Sequence, residues 1–353
     1  MTRAPRAPFV IDGREVAAGS RATIELPTVN LITHTELYMP VHVAHGLRDG
    51  PRLLICAAIH GDELNGIEII RRVLALPHLR RLRGTLITVP MVNVHGVIQH
   101  SRYLPDRRDL NRVFPGSEHG SLAARLAHFF LDRIVKRCTH GVDLHTGAQH
   151  RINLPQIRAN LDDPETERLA RSFGTPVLIN AAIRDGSLRQ VASDLGIPML
   201  VYEGGEGLRF DEFSIRAGVR GILHVMRALE MLPAASRSSK KPVEPFIARS
   251  SSWTRAPESG IMRTLRPLGA RVREDEPLAL ISDPFGENET TVAAHQDGLI
   301  IGRTHLPLVN AGDALFHIAR FERPSLVAHQ VEAFQEVHQV DDPVENALDP
   351  PIV

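Results

Sequence analysis

The chain is poor in lysine, in cysteine and in unbroken apolar sequence, and it carries no net charge. Only Lys136, Lys240 and Lys241 are lysines among 41 basic residues, and 41 acidic residues balance these. A formal charge of zero argues against nucleic acid or an anionic membrane as the main partner. No stretch approaches the roughly 18 apolar residues that a membrane span requires. The amino-terminal MTRAPRAPFVIDGREV lacks the continuous apolar core of a signal peptide. Cys56 and Cys138 lie in or beside apolar segments and read as small buried hydrophobes in a reducing compartment, so a cytoplasmic location is expected. Also missing are a G-x-S-x-G nucleophile elbow, an H-E-x-x-H metal helix and a G-K-[ST] phosphate loop.

What is present is enough for an ordinary globular core. With 353 residues and 43% apolar content, the chain fits one large α/β domain plus a smaller one. After a β-rich segment over 1–50, the run from Leu53 to Ile59 has no polar alternation, as in a strand buried on both faces of a mixed or parallel sheet. Helical periodicity follows from Glu63 to Leu76, with Leu64, Ile67, Ile70, Val73 and Leu74 on the predicted stripe. Strands over Thr85–Val89, Gly141–Leu144, Gln156–Ala159, Pro176–Ile179 and Pro198–Tyr202 then alternate with helices over Leu122–Lys136, Pro164–Phe173, Ser187–Leu195 and Asp211–Leu232. That alternation predicts a sheet flanked by helices, with its site at the carboxyl ends of strands.

Residues 233–245 read as a linker between this catalytic unit, 1–232, and a small all-β unit, 246–322. Within the latter, 259–281 lines up with 297–318, so that Gly260 pairs with Gly298, Val272 with Val309, Leu278 with Leu315 and Ile281 with Ile318. The repeat predicts a pseudo-symmetric, barrel-sandwich-like domain similar to biotinyl and lipoyl carriers. No lysine follows Lys241, however, and a swinging-arm carrier needs one. A lid, a substrate-shaping wall or a contact in a homo-oligomer is expected instead. The remainder, 323–353, is an acidic, proline-containing tail expected to be partly ordered at best.

Three constellations carry chemistry. The strand ending at Ile59 runs into His60-Gly-Asp-Glu63, where His and Glu at i and i+3 of a first helical turn project together and form half of a divalent-metal site. Taken alone, that spacing is common by chance. In Val142-Asp-Leu-His145, a strand puts Asp143 and His145 on one side, which suits His145 as third ligand and Asp143 as the carboxylate orienting a ligand histidine. Between them, the stretch from Ser101 to Gly116 concentrates arginines beside Asn111, as carboxylate recognition requires. Its bland reading is a surface loop laced with Asp–Arg pairs, and Arg107 and Arg108 fit that description.

HGDE, DLNRVFPG and DLHTG, in that order, resemble the succinylglutamate desuccinylase/aspartoacylase family of zinc-carboxypeptidase-like amidohydrolases, over roughly residues 50–232. The resemblance implies a zinc-carboxypeptidase-like mixed sheet and one Zn2+ per chain, held by His60, Glu63 and His145. It further implies Asn111 and Arg112 as binders of a substrate carboxylate and Arg102 as the group polarising the scissile carbonyl. The family's general base is a glutamate at the end of a late strand; Glu203 directly follows the apolar run Pro198–Tyr202, and Glu206 is its competitor. The expected activity is hydrolysis of an N-acyl amino acid or N-acyl diamino acid, a small-molecule substrate. The rivals are a zinc carboxypeptidase acting on peptides and a metal-binding protein of the same fold without catalysis.

Overall fold

A computed structural model of the chain describes residues 6–234, 245–322 and 324–339. Most of the expected linker and the end of the tail lie outside the described residues. The amino-terminal unit comprises β1 (Phe9–Ile11), β2 (Arg14–Val16), β3 (Ser20–Pro27), β4 (Tyr38–His45), β5 (Arg48–Ala57), α1 (Asn65–Ala75), β6 (Arg83–Val89), α2 (Val94–Ile98), α3 (Leu122–Arg133), β7 (His140–His145), β8 (Arg151–Ala159), α4 (Pro164–Phe173), β9 (Val177–Asn180), α5 (Leu188–Asp194), β10 (Met199–Glu206) and α6 (Glu212–Ala228). The carboxyl-terminal unit adds β11 (Phe246–Ala248), β12 (Ser250–Arg255), β13 (Gly260–Thr264), β14 (Arg271–Val272), β15 (Pro277–Ser282), β16 (Glu289–Ala293), β17 (Gly298–Thr304), β18 (Leu308–Val309), β19 (Ala314–Arg320) and α7 (Pro324–Gln339). No helix among the described residues is long and apolar enough to cross a membrane.

The centre is a mixed sheet in which β10, β7, β5 and β6 run parallel, with antiparallel neighbours β8 on one side and β4–β3 on the other. β5 shows why its sequence lacks polar alternation. Leu53, Ile55 and Ala57 join the core under α1, α4 and α6, while Leu54 and Cys56 join the core under α3 and α5. Both cysteines are free and buried. α4 starts and stops where local chemistry says it should. Asp163 accepts from Thr166 N at 2.8 Å, Pro164 opens the helix, and Gly174 closes it in the left-handed region at φ 92°.

α1 departs from the expected stripe. Its buried face carries Asn65, Gly66, Ile69, Ile70 and Val73, whereas Leu64, Ile67 and Leu74 are only partly covered. The helix rolls because Gly66 presses on Ala57 and Leu144, where a Cβ would lie 2.6 and 2.8 Å from their Cβ atoms. That contact brings α1 close to the sheet and turns the neighbouring residues inward.

The repeat seen in the sequence is the architecture of the carboxyl-terminal unit. β13–β14–β15 corresponds to β17–β18–β19, and the short members exchange partners: β14 pairs with β17, and β18 pairs with β13. All of Val272, Val309, Leu278, Leu315, Ile281 and Ile318 are buried in one core. Yet this unit does not stand apart from the central sheet. The amino-terminal part of β8 pairs with β17 (Asn153 opposite Gly302), and its carboxyl-terminal half pairs with β9 (Gln156 opposite Val177). The β17–β19–β12 ribbon therefore extends one 13-stranded sheet, while β16–β15–β13–β18 forms a separate layer of four.

Within the expected tail, the described residues 324–339 form a helix. Val327, Val331 and Phe334, at i, i+4 and i+7, form an apolar stripe, and the two valines bury against Leu299 and Ile301 of β17.

Candidate active site

Three strand ends converge. Beyond β5 the backbone passes through Ala58, a non-glycine residue at φ 52°, whose carbonyl accepts from Asn93 N at 2.9 Å. His60 to Leu64 then form a turn preceding α1, closed by Glu63 N donating to His60 O at 3.1 Å, so His60 and Glu63 share a turn and not the first turn of the helix as expected. Gly61 is required by proximity more than by turning. A Cβ there would lie 1.9 Å from the Gly96 carbonyl carbon, because α2 packs directly on this turn.

His60, Glu63 and His145 offer ligand atoms that all lie within 4.8 Å of one another, and all three residues are buried. His60 Nδ1 is 2.7 Å from Glu63 Oε1, and His145 Nδ1 is 2.8 Å from Glu63 Oε2. Thr146 N also donates to Glu63 Oε2 at 3.2 Å. Each histidine has its outer nitrogen against a carboxylate: Asp143 Oδ2 lies 2.8 Å from His145 Nε2, and Asp109 Oδ1 lies 3.1 Å from His60 Nε2. Burial alone would push the Glu63 carboxyl up, but His60 and His145 outweigh it and hold the group well below the usual carboxylate range. For His145, burial pulls down while Asp143 and Glu63 raise its pKa well above the ordinary value.

Arg102 closes this cluster. Its Nη2 donates to Asp109 Oδ2 at 2.9 Å and its Nη1 to Glu63 Oε1 at 3.3 Å. Asn111 is fixed by Leu188 N, which donates to its Oδ1 at 2.9 Å, so the loop after β6 is tied to the start of α5. Arg112 is exposed beside it, and its Nη1 donates to the Asn111 carbonyl at 2.5 Å. Arg107 and Arg108 are exposed, as a solvated loop predicts.

β10 is longer than its apolar run. It continues through Gly204 and Gly205 to Glu206, with a bulge between Glu203 and Gly205 and with Gly205 at φ 79°. The two glutamates face different surroundings. Glu203 stands beside His145 in parallel register and thus on the same face of the sheet; Asn153 Nδ2 donates to its Oε2 at 2.8 Å. Glu206 is turned to the carboxyl-terminal unit, where His305 Nδ1 lies 2.7 Å from its Oε2.

The sequence predicts a strand over Gln156–Ala159 but gives β8 no site residue. Gln156 is opposite Glu203, so it rises from the same face. Its amide is fully buried, and neither the nitrogen nor the oxygen has a hydrogen-bond partner among the described residues. Arg158, two residues on, lies with Nε 3.7 Å from Glu203 Oε1. The only sign of this in the sequence was a pair of polar residues at i and i+2 inside the apolar strand Leu154–Ala159. Asp109, which joins His60 to Arg102, was noticed only as part of an arginine-rich loop.

Across the seam, His317 of β19 stacks on Trp253 at 4.8 Å and 8°. Burial, aided by Arg158, pulls the His317 pKa from 6.5 down to about 3. As pH falls from 6.5 to about 3, the unfolded chain takes up this proton and the folded chain does not. The contribution of His317 to stability is therefore full above pH 6.5 and falls by up to about 1.4 kcal/mol per pH unit through that window. Thermal unfolding of the metal-free protein, followed by the fluorescence of its one tryptophan, is expected to show this acid slope. His317→Phe, which keeps the stack, is expected to reduce it; an unchanged slope would count against the assignment.

Residues 49–229, more than half of the chain, match the family model described as the succinylglutamate desuccinylase/aspartoacylase catalytic domain. Over 292 residues the chain is 26% identical to the N-alpha-acetyl-L-2,4-diaminobutyric acid deacetylase of Halomonas elongata, covering 77% of this chain and 82% of that one. A succinylglutamate desuccinylase/aspartoacylase structure from Rhodobacter sphaeroides superposes with a TM-score of 0.75 at 24% identity, covering 85% of this chain and 96% of the other. A product-bound structure of the ectoine utilization protein EutE from Ruegeria pomeroyi gives a TM-score of 0.76 at 22% identity, with coverages of 90% and 98%. The chain belongs to the succinylglutamate desuccinylase/aspartoacylase family.

Proposed function

We propose that the protein is a zinc-dependent deacylase that hydrolyses the amide bond of an N-acyl amino acid or N-acyl diamino acid. The observation that carries this reading is the convergence of His60, Glu63 and His145, with Glu203 beside His145 on the same sheet face. The donor set fits zinc: two imidazoles and a carboxylate, with both histidines backed by carboxylates. Bound there, zinc supplies a water of near-neutral pKa and a Lewis acid for the carbonyl.

The chain's own residues do the rest. Glu203 accepts the proton of the attacking water and returns it to the departing nitrogen, so the amine leaves neutral. Arg102 gives up part of its contact with Asp109 to donate to the developing oxyanion. Asn111 Nδ2 and the exposed Arg112 guanidinium hold the substrate carboxylate, which fixes the scissile bond over the cluster. Gln156 and Arg158 back Glu203 from β8, where the Gln156 amide and Arg158 Nε are buried without a hydrogen-bond partner among the described residues.

The reading is tested by zinc analysis of the purified protein and a panel of N-acetyl, N-succinyl and N-formyl amino acids that includes N-acetyl-diaminobutyrate. Turnover of at least one, abolished by a chelator and restored by zinc, is expected. One bound zinc with no turnover across the panel would defeat it in favour of the peptidase or non-enzyme alternatives.

A further inference from the structure

A large cavity lies at the other end of the sheet from His60. The turn between β4 and β5, the start of β6 and the carboxyl ends of α1 and α6 enclose about 1100 Å³. Arg21, Arg48, Arg80, Arg81, Arg83 and Arg227 line it, and Glu230 is the one acid in its wall. None of these six arginines makes an ion pair among the described residues. This contrasts with the helices, where Arg71 and Arg72 engage Glu68, Arg168 engages Glu165 and Arg171 engages Glu167. The zero net charge of the chain thus hides a local excess of positive charge.

Helix termini account for only part of that excess. The carboxyl ends of α1 and α6 each present about half a negative charge, and Arg21 Nη1 donates to one of their carbonyls, Leu74 O, at 3.4 Å. Six guanidiniums exceed this by several charges. Arg227 Nε is moreover buried without a hydrogen-bond partner among the described residues. The rest of the wall is aliphatic: Leu76, Leu79 and Leu82 line the cavity, and Leu47 is 73% exposed at its rim.

Guanidiniums arranged around one space match groups that concentrate negative charge in a small volume, and phosphate accepts their planar fork in a bidentate manner. The volume is that of a small-molecule site. We propose that this cavity binds an anion carrying two or more phosphate groups, of nucleotide size. The leucines then cover its uncharged body while the arginines neutralise the phosphates. The site is separate from the proposed deacylase centre and does not depend on that reading.

The test uses the full chain and calorimetric titration at fixed ionic strength with three probes: magnesium-free ATP, inorganic triphosphate and adenosine. Saturable binding of one ATP or one triphosphate per chain is expected, with none for adenosine. ATP binding more tightly than triphosphate assigns a role to the leucine wall; triphosphate binding as tightly points to inorganic polyphosphate as the source. Arg80→Gln/Arg81→Gln and, from a different wall, Arg227→Gln are each expected to raise Kd at least tenfold. Circular dichroism of the free variants establishes that they are folded. The proposal is overturned by absence of saturable binding for both anions, by wild-type Kd in both variants, or by adenosine binding as tightly as ATP.

Discussion

Replacement of Glu203 by Gln is expected to lower kcat on the deacylase substrate by about 10²–10⁴-fold, with zinc content and KM nearly unchanged. The substitution keeps the size of the side chain and can still accept from Asn153 Nδ2, which lies 2.8 Å from the carboxylate. What disappears is the ability to take a proton from water and pass it on. Glu206→Gln is the matched comparison. Its carboxylate is engaged by His305 at 2.7 Å and packs in the seam between the two units, so its loss should weaken that seam and affect turnover far less. Wild-type turnover in Glu203→Gln with zinc bound would sink the proposed mechanism, and a large loss confined to Glu206→Gln would exchange the two roles.

The second large effect concerns Glu63. Glu63→Gln is expected to abolish zinc binding and turnover together, and in the metal-free protein to cost about 3–5 kcal/mol of stability. Glu63 is buried, and its two oxygens face His60, His145, Thr146 N and Arg102. Those neighbours hold it ionised, and it in turn offsets the charge of two buried imidazoles. An amide can replace neither function. Asp143→Asn is the graded version: zinc affinity should fall about 10–100-fold without loss of the fold, because only the orientation of His145 is disturbed. Metal content per chain and thermal unfolding in chelator check both variants. Retention of one zinc at wild-type affinity by Glu63→Gln would remove Glu63 from the ligand set.

Much of this was legible beforehand where the signal is local. β5 announced its burial on both faces through an unbroken apolar run, and Asp163, Pro164 and Gly174 marked the ends of α4. His60, Glu63 and His145 could be found because each lies at a strand end or within a few residues of one. What escaped notice depended on contacts distant in sequence. The roll of α1 is set by Gly66 against Ala57 and Leu144. Asp109 touches His60 across 49 positions, and Gln156 matters only because the register of β8 places it opposite Glu203. The extension of β10 was hidden because Gly204-Gly205 reads as a loop until a bulge accommodates it. The helix over 324–339 did carry a local signal, Val327-x-x-x-Val331-x-x-Phe334, which the acidic composition of the flanking sequence obscured.

β8 has one consequence for how the molecule behaves as a whole. Its backbone serves two neighbours in succession along one edge, β17 from the carboxyl-terminal unit and β9 from the amino-terminal unit. A hydrogen-bond ladder thus crosses what looks in the sequence like a domain boundary. A boundary crossed in this way transmits melting: when β17 lets go, the strand carrying Asn153, Gln156 and Arg158 loses a partner, and the wall around Glu203 loosens with it. The two units should therefore unfold in one cooperative event, and the carboxyl-terminal repeat belongs to the enzyme's folding unit, not to an attached module that can be exchanged for another.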